Sequence, residues 1–583
     1  MKDDKQKLNL KGKITGMEMV SEGHINEPPS LNLMAEKSLN FLENNPDPEL
    51  DYECRFSILP SKIPWHSTSI KANEYGYDVI AIADTDLRMQ HIWGHMRKMA
   101  GVKEASAVEK GVNRRSDSYV GEDGCCYANP AAFTGHEIGG VWMSPWGTSH
   151  QIIYYCDQYE ATGDKSWLER SKKALDSLLR LSVEAAGMTD FPRSSAYLEG
   201  KWLNEGWSSE HSRNYTFIIE PLLRYYELSG DAEYLRRAIL FAEAFISCMI
   251  DIREEVEISP VTGAFEKHVH LHTRCALWGM SHLAAITGDS RYLQWSRRVY
   301  DFVLSLSPDF GWYPEYVPRH ANVSETCTVG DMMAVAYYLA QCGELDAYDE
   351  MERAWRNYLR CTQFFVTPDV ERFIRLIHGD KPEETLQAAV EDLKRLEGGF
   401  MAQVTWNDLV MREEPEKLLY MMGCCPPSGM MALYYIWKAA AQERNGDIYV
   451  NMTLTADTPL AVLKSDYSSA GKLTVTAKKS GRWFFRPPEW AVYKNVRVTV
   501  NGDNIPIIWS GPQCRYAQAD GIKAGDVIVL QYDLVKCIQL LSASALTDNT
   551  EYRFSWIGNS VVDITPKGKY IELFGPERGI PAV

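Results

Sequence analysis

The sequence predicts a mainly α-helical protein, in which a ring of helix pairs is followed by a β-sandwich. An amphipathic helix–turn–helix pattern recurs in the middle of the chain, and it gives way near Asn445-Gly446 to short β-rich runs. A chain of 583 residues is also too long for one ordinary core. We therefore expect an N-terminal extension over 1–60, a helical domain over 61–446 and a sandwich over 447–583.

The helical prediction depends on an internal repeat, in which a Gly-Asp turn, an aromatic residue and a leucine separate two amphipathic helices. The three clear copies begin at His150, Tyr215 and His272 and turn at Gly163-Asp164, Gly230-Asp231 and Gly288-Asp289. Glycine can end a helix in the left-handed conformation, and aspartate can cap the next helix. Each pair leaves one apolar face unburied, so the pairs must stack. Five or six pairs can close into an (α/α)6 toroid, although an open solenoid would show the same repeat.

The remaining helical and β-rich segments complete the predicted architecture. A fainter copy of the repeat begins at Thr328, and 67–100 and 428–443 can supply further helices. The charged segment 367–398 predicts a helical excursion on the surface. Beyond 447, runs such as KLTVTA, VRVTVNGDNI and DVIVLQYDL alternate with turn residues, which is typical of a sandwich.

Composition excludes several classes of partner. The formal net charge of −17 argues against nucleic acid, which requires a basic surface. No apolar run reaches the length of a membrane span or of a signal-peptide core, so no membrane partner is expected. The 13 cysteines are odd in number and scattered through helical segments, unlike a disulfide framework. We expect a cytoplasmic protein whose clustered cysteines are metal or catalytic groups.

Two short stretches carry the residues best suited to chemistry, Ser324-Glu325-Thr326-Cys327 and Gly423-Cys424-Cys425-Pro426-Pro427. Together they offer one carboxylate and three thiols, a plausible tetrahedral set for Zn²⁺. A metal also lowers the pKa of a thiol and can yield a thiolate nucleophile. On ligand types alone, structural zinc is the more common use of such a set. A second vicinal pair, Cys125-Cys126, competes as the metal pair but has no Glu-X-Cys partner close by in the sequence.

These motifs resemble those of glycoside hydrolase family 127, the β-L-arabinofuranosidase family. In that family a Glu-Thr-Cys segment and a Cys-Cys-Pro segment bind zinc, and the first cysteine of the pair attacks the anomeric carbon. The resemblance implies that Glu325, Cys327, Cys424 and Cys425 are zinc ligands and that Cys424 is the nucleophile. It spans roughly 150 to 540 and includes the sandwich segments WFFRPPEWA, VTVNGD and KAGDVIVLQY.

The resemblance also implies residues that contact the sugar. His150 and His272 match family histidines that open their helices and face the substrate. The histidine that usually opens the second repeat is Tyr215 here, and His211 lies four residues earlier as a substitute. His270 shares one face with His272 if the KHVHLH run is extended, which would also allow a second metal site there.

Glu315, in the loop GWYPEYVPRH, is the nearest candidate for the family's acid/base glutamate. It lies ten residues before Glu325, closer than the family's spacing, and is flanked by Trp312, Tyr313 and Tyr316. Burial among these rings would raise the pKa of the carboxyl group, as a general acid requires. Trp312 offers an aromatic face that can stack on a sugar ring.

These residues together predict a retaining glycosidase that acts on a furanoside or a related unusual sugar. Cys424 would form the covalent intermediate, and Glu315 would protonate the leaving oxygen and then activate water. A sugar epimerase or an unsaturated-uronide hydrolase could use the same ring, but neither chemistry needs these cysteines. A non-catalytic carbohydrate-binding protein with structural zinc is the alternative from another class. The expected partner is a small carbohydrate or oligosaccharide, and a homodimer is compatible with the sequence.

Overall fold

The computed structural model describes residues 25, 27–63, 66–68, 80–128, 142–191, 197–198, 201–202, 212–251, 256–258, 265–266, 269–270, 278–317, 323–410, 419–542 and 550–575. Within these ranges the helices, in chain order, are α1 Leu31–Asn44, α2 Ile80–Ala100, α3 Ala107–Ser118, α4 Pro145–Thr162, α5 Lys165–Leu179, α6 Ser212–Ser229, α7 Ala232–Cys248, α8 Trp278–Thr287, α9 Ser290–Ser305, α10 Thr326–Gln341, α11 Asp346–Ala354, α12 Pro368–Ile377, α13 Glu383–Leu393 and α14 Cys425–Ala440.

Six of the helices in the described ranges form a closed inner ring. Going round it, α2 packs on α4, α4 on α6, α6 on α8, α8 on α10, α10 on α14, and α14 returns to α2. An outer helix packs against five of them in the same way, with α3 against α2, α5 against α4, α7 against α6, α9 against α8 and α11 against α10. The predicted closure into an (α/α)6 toroid is confirmed, and the open solenoid is excluded.

The Gly-Asp turns have the predicted conformations. Gly163, Gly230 and Gly288 have φ angles of 70°, 72° and 68°. Asp164, Asp231 and Asp289 each accept a hydrogen bond from the backbone N–H two residues later, which caps the following outer helix. All three turns follow the C-terminal end of an inner helix. The opposite ends, where the inner helices begin, are therefore joined by the longer connections of the chain.

The N-terminal part of the chain corrects one predicted boundary. Helix α1 lies within the segment assigned to an extension, yet it packs on α2 and also contacts α14. Its residues Leu31, Met34 and Phe41 are fully buried in the main core. Helix α1 is thus an outer helix of the ring, and the ring includes residues before 61.

Short strands line the connections between the helices. They are β1 Pro46–Asp47, β2 Glu53–Cys54, β3 Ser57–Leu59, β4 His66–Thr68, β5 Tyr127–Ala128, β6 Trp142–Met143, β7 Val183–Ala185, β8 Met188–Asp190, β9 Tyr197–Leu198, β10 Lys201–Trp202, β11 Met249–Asp251, β12 Val256–Ile258, β13 Phe265–Glu266, β14 Val269–His270, β15 Tyr316–Val317, β16 Ser324–Glu325, β17 Gln403–Val404 and β18 Met421–Met422. The segment 367–398 forms α12 and α13, as predicted.

The C-terminal strands follow directly on α14. They are β19 Ala441–Arg444, β20 Asp447–Val450, β21 Ala456–Asp457, β22 Ala461–Asp466, β23 Gly471–Ala477, β24 Gly481–Phe485, β25 Arg497–Val500, β26 Asp503–Asn504, β27 Ile508–Ser510, β28 Tyr516–Ile522, β29 Val527–Tyr532, β30 Lys536–Ser542, β31 Glu551–Ile557 and β32 Ser560–Thr565. The predicted strand-rich region is confirmed, and it begins at Ala441, slightly before the predicted boundary.

The C-terminal strands form two large sheets and one small sheet. The first has the order β19-β20-β24-β28-β27 and the second β21-β22-β23-β29-β25-β26, while β30, β31 and β32 form a meander. Side chains of β22 alternate between buried and exposed, so that one face of the sheet joins the core. Trp483 of the first sheet and Leu473 of the second are fully buried in the same hydrophobic core.

Candidate active site

The N-terminal ends of two neighbouring inner helices bring the two cysteine motifs together. Helix α10 begins at Thr326, directly after β16, and α14 begins at Cys425. A Cβ atom at Gly330 of α10 would lie 2.6 Å from the carbonyl oxygen of Ser428 of α14, so the absence of a side chain permits the close approach. This contact places Cys327 beside Cys425.

The four predicted ligands, Glu325, Cys327, Cys424 and Cys425, form one compact cluster, which we call the thiol group or thiol site. One donor atom each from Glu325, Cys327, Cys424 and Cys425 lies within 4.8 Å of all the others. The Sγ atoms of Cys327 and Cys425 are 3.5 Å apart, and those of Cys424 and Cys425 are 4.0 Å apart. Tetrahedral Zn–S bonds of about 2.3 Å place two sulfurs about 3.8 Å apart. The donor types and the sulfur separations therefore fit a metal such as zinc.

Exposure distinguishes Cys424 from the other three. Cys327 and Cys425 are fully buried and Glu325 is 1% exposed, whereas Cys424 is 9% exposed. Hydrogen bonds from the thiols of Cys327 and Cys425 outweigh burial and lower the pKa of Cys424 to about 6, with a smaller lowering from Arg88. Burial raises the pKa of Cys425 well above its usual value. Cys424 is thus the thiol of the group that most readily becomes an accessible thiolate.

Glu315 lies on a chain segment that runs beside the segment carrying Glu325. Pro314 is bridged to Ser324, and the backbone N–H of Glu315 donates to the carbonyl of Val323 over 2.9 Å. Gln403, which is the register partner of Glu325 in the β16–β17 pair, donates from Nε2 to Oε2 of Glu315 over 2.7 Å. Glu315 is 8% exposed. The acid/base candidate Glu315 and the predicted ligand Glu325 are therefore joined through Gln403.

His150 is connected to the thiol group through three residues that the sequence analysis did not select. The indole Nε1 of Trp146 donates to Nε2 of His150 over 2.8 Å, and the guanidinium of Arg88 lies 5.2 Å from the centre of the Trp146 ring. Arg88 donates to Oγ of Ser428 over 3.2 Å, and this hydroxyl donates to the carbonyl of Cys424 over 2.8 Å. His150 is buried and is linked through this network to the backbone of Cys424.

Weak signals for two of the three additional residues were present in the sequence. Ser428 directly follows the Cys-Cys-Pro-Pro motif, and Trp146 lies one helical turn before His150. No local pattern marks Arg88, whose role depends on the packing of α2 against α4 and α14.

Trp312 is fully buried beneath the site. It stacks on Trp406 with ring centres 4.9 Å apart, and Trp406 stacks in turn on Tyr552 of β31. Its Nε1 donates to the carbonyl of Val404, the second residue of β17. In this position Trp312 supports the strand that carries Gln403, and a sugar contact by Trp312 stays a prediction.

The other predicted sugar contacts are described only in part. The backbone of His270 is paired with that of Tyr316, the residue after Glu315. The backbone of Tyr215 lies in the first turn of α6. His211 and His272 lie outside the described residues. The roles of all four stay predictions.

The competing pair Cys125-Cys126 has a different environment. Both thiols are buried, and burial raises the pKa of each well above its usual value. In the part of the chain that the structure describes, neither cysteine belongs to a group of three or more side chains that could hold a metal. The cysteines in that part of the chain, including this pair, form no disulfide bond. The Glu325 group is therefore the better metal candidate.

Comparisons with known proteins agree with this architecture. No protein-family model and no curated protein sequence matches the chain. A solved β-arabinofuranosidase of glycoside hydrolase family 127 matches with a TM-score of 0.55 at 15% identity, over 91% of this chain and 81% of the other. A family 127 β-L-arabinofuranosidase from Geobacillus stearothermophilus T6 matches with a TM-score of 0.51 at 14% identity, over 90% and 80%.

A third structure, named only as a glycoside hydrolase, matches with a TM-score of 0.52 at 16% identity, over 88% of this chain and 84% of the other. Across the described residues, no helix is long and apolar enough to cross a membrane. The chain therefore has the fold of the family 127 glycoside hydrolases, at a sequence identity that marks it as divergent from them.

Proposed function

We propose that the protein is a retaining glycoside hydrolase of the family 127 type, acting on a furanoside such as a β-L-arabinofuranoside. The main support for the proposal is the convergence of Glu325, Cys327, Cys424 and Cys425 at the N-terminal ends of two inner helices. One of these thiols is partly accessible and has a lowered pKa. The similarity in fold to family 127 enzymes supports the substrate class.

The donor set favours Zn²⁺ as the bound metal, since three thiolates and one carboxylate suit a tetrahedral ion. When bound, zinc would neutralise the accumulated negative charge and keep the thiols deprotonated at neutral pH. Cys327, Cys425 and Glu325 are the buried holders, and Cys424 presents its sulfur to the substrate. Arg88, through Ser428, fixes the backbone carbonyl of Cys424 and hence the direction of its side chain.

The reaction divides between Cys424 and Glu315. In the first step the sulfur of Cys424 forms a bond to the anomeric carbon, the glycosidic bond breaks, and Glu315 gives its proton to the departing oxygen. In the second step Glu315 takes a proton from water, the water oxygen bonds to the anomeric carbon, and the sulfur leaves as thiolate. His150, buried at the start of α4, is a sugar-binding group in this scheme.

Structural zinc in a non-catalytic carbohydrate-binding protein is the second candidate. It is favoured by the burial of the ligand group, since even Cys424 has little exposed surface. The two candidates differ in what Cys424 must do, because a structural site needs only the metal bonds.

Replacement of Cys424 by serine separates the two functions. Cys424→Ser should abolish turnover of 4-nitrophenyl β-L-arabinofuranoside and of other aryl furanosides, because serine is a far weaker nucleophile at neutral pH. Zinc content, measured by elemental analysis, should stay near that of the unmodified protein, since three ligands remain. Cys342→Ser, which removes a half-buried thiol outside the group, is the matched control. Wild-type turnover in Cys424→Ser with zinc retained would establish the structural role instead.

A further inference from the structure

A polar cavity lies at the end of the helical ring opposite the cysteine motifs. It has a volume of about 660 Å³ and is lined by later turns of α2, α4, α6, α10 and α14, which are five of the inner helices in the described residues. The thiol group lies where α10 and α14 begin, whereas this cavity includes Tyr338 near the end of α10 and Lys438 near the end of α14. The two sites therefore occupy opposite ends of the ring.

Two histidines and one aspartate meet at the wall of this cavity. His91 and His95 lie one turn apart on α2, and Asp157 lies on the adjacent helix α4. Oδ2 of Asp157 is 2.8 Å from Nε2 of His91 and 3.2 Å from Nε2 of His95. This buried oxygen nevertheless receives no well-directed hydrogen bond. The three side chains thus converge without the angles of a hydrogen-bonded triad.

The convergence matches the geometry of metal ligands. Two histidines at positions i and i+4 of a helix present their rings on one face, as in known zinc sites. Metal bonds of about 2.0 to 2.2 Å at angles between 90° and 110° place neighbouring donor atoms about 2.8 to 3.6 Å apart. The two measured Nε2–Oδ2 distances lie within that range. Two imidazoles and a carboxylate suit divalent transition metals such as Zn²⁺, Co²⁺, Mn²⁺ and Fe²⁺.

Neighbouring residues hold the three side chains in place. The ring of His95 stacks on Tyr434 of α14 at 3.8 Å between centres. Oδ1 of Asp157 accepts a hydrogen bond from Arg224 of α6 over 3.1 Å, which leaves Oδ2 directed at the histidines. Such outer contacts are the ones that orient metal ligands.

The lining of the cavity carries charges of both signs, and its exposure lets an ion enter. Asp157, Glu160 and Glu220 supply carboxylates, and the C-terminal ends of the inner helices add partial negative charge. The basic side chains in the lining are Arg97, Lys98, Lys103, Arg224 and Lys438, and burial lowers the pKa of Lys438. The side chains of His91, His95 and Asp157 are 5%, 12% and 14% exposed, so an ion can reach them from the cavity.

We propose that His91, His95 and Asp157 bind one divalent transition-metal ion that joins α2 to α4, at a site separate from the thiol group. Three protein ligands leave coordination positions open toward the cavity, where water can complete the shell. The competing arrangement is an ion-pair network in which protonated histidines face Asp157 and no metal binds.

Cobalt titration of metal-free protein tests the proposal and distinguishes the two sites. Co²⁺ bound by thiolates gives an intense sulfur-to-metal charge-transfer band in the near ultraviolet, whereas Co²⁺ bound by imidazole and carboxylate gives only weak visible bands. We expect the full-length protein to bind one Co²⁺ at the histidine–aspartate site, which gives no charge-transfer band. This ion should bind whether or not a second Co²⁺ occupies the thiol site. The double variant Cys327→Ser/Cys425→Ser, which leaves one thiol and one carboxylate, should lose the charge-transfer band and keep the other ion, so failure of the thiol site would leave this result intact.

Matched variants assign the second ion to its ligands. His91→Gln and Asp157→Asn should each weaken its binding by at least about tenfold, while the thiol-bound ion is unchanged. His378→Gln, which removes a histidine bound to the carbonyl of Ser61, is the control for loss of an imidazole elsewhere. Circular dichroism shows whether each variant folds. If one of the two fails to fold, the other still tests the site. Absence of any cobalt outside the thiol site, or unchanged binding in both variants, would overturn the proposal.

Discussion

Single residues in the Cys-Cys-Pro motif are given different chemistry by their surroundings. Cys424 precedes the first turn of α14 and keeps some exposure, and hydrogen bonds from the other two thiols lower its pKa. Cys425, the next residue, is fully buried, and its pKa rises for that reason. A partly exposed thiol with a lowered pKa and a buried thiol with a raised pKa thus arise from adjacent positions in the chain.

The lowered pKa of Cys424 predicts a measurable pH dependence. In metal-free protein, alkylation of Cys424 by iodoacetamide should reach half its maximal rate near pH 6, since its pKa is lowered from 9.0 to about 6. A thiol with a depressed folded pKa stabilises the fold above its unfolded pKa, and this contribution is lost as the pH falls through about 6. Mass spectrometry of the labelled peptide gives the rate, and Cys424→Ser is the control. Labelling that begins only above pH 8 would contradict the assignment.

Glu315 can be tested by its dependence on the leaving group. Glu315→Gln should lower kcat strongly for alkyl furanosides, whose leaving groups need a proton, and much less for 4-nitrophenyl furanosides in the first step. The pre-steady-state release of nitrophenol measures that step. Glu344→Gln, a change at a half-buried carboxylate just after α10, is the control. Equal losses for good and poor leaving groups would remove Glu315 from the acid role.

At the scale of elements, the site depends on how closely two inner helices approach. Helices α10 and α14 begin at the two cysteine motifs, and each contributes thiols of the candidate metal-binding cluster from its first turn or its N-cap. Gly330 faces the backbone of Ser428 without a side chain, and Gly429 similarly faces the ring of Phe400. The separation of the helices therefore sets the distance between the Sγ atoms of Cys327 and Cys425.

Adding one methyl group between these helices should disturb the candidate metal-binding cluster of Glu325, Cys327, Cys424 and Cys425. Gly330→Ala would place its Cβ 2.6 Å from a carbonyl oxygen, so the helices must separate, at a cost of about 1–3 kcal/mol in the free energy of unfolding. Metal affinity, measured by competition with a chelator, should fall as well. Gly94→Ala, a helical glycine of α2 whose Cβ would meet nothing within 4 Å, should be neutral or stabilising. Equal behaviour of the two variants would argue against the close packing of α10 and α14.

At the scale of the whole molecule, buried charges connect the ring to the C-terminal sheets. Arg356, in the helical turns after α11, is fully buried and donates to Glu352 over 2.9 Å. It also donates to the carbonyl of Thr453 and to the hydroxyl of Ser465. Glu352 in turn accepts from the backbone N–H of Thr453 over 2.8 Å. These contacts join the two parts into one structure.

Removing Arg356 should therefore destabilise the protein as a unit. Arg356→Met would leave Glu352 without its buried counter-charge, at a cost of about 3–5 kcal/mol. Chemical denaturation followed by circular dichroism measures the loss. Arg375→Met, which breaks the more exposed pair with Glu383, should cost at most about 1 kcal/mol. A similar small effect from both variants would show that the ring and the sheets are stabilised independently.

The sequence by itself determined the features that depend on local chemistry. The Gly-Asp turns, the capping aspartates and the helix periodicity follow from residues close together in the chain. The residue types in the two cysteine motifs are also local, which is why Glu325, Cys327, Cys424 and Cys425 could be selected from the sequence as a candidate metal-binding set. The change to strands after α14 was visible for the same reason.

Only the tertiary structure decided the features that depend on contacts between distant segments. The place of α1 in the ring, the network from Arg88 through Ser428 to Cys424, and the burial of Trp312 all depend on such packing. The sequence analysis did not select His91 and His95, because their partner Asp157 lies on another helix and only the fold brings the three together. Helical periodicity specifies which face of a helix is buried, whereas the closure of the ring determines which other helix that face packs against.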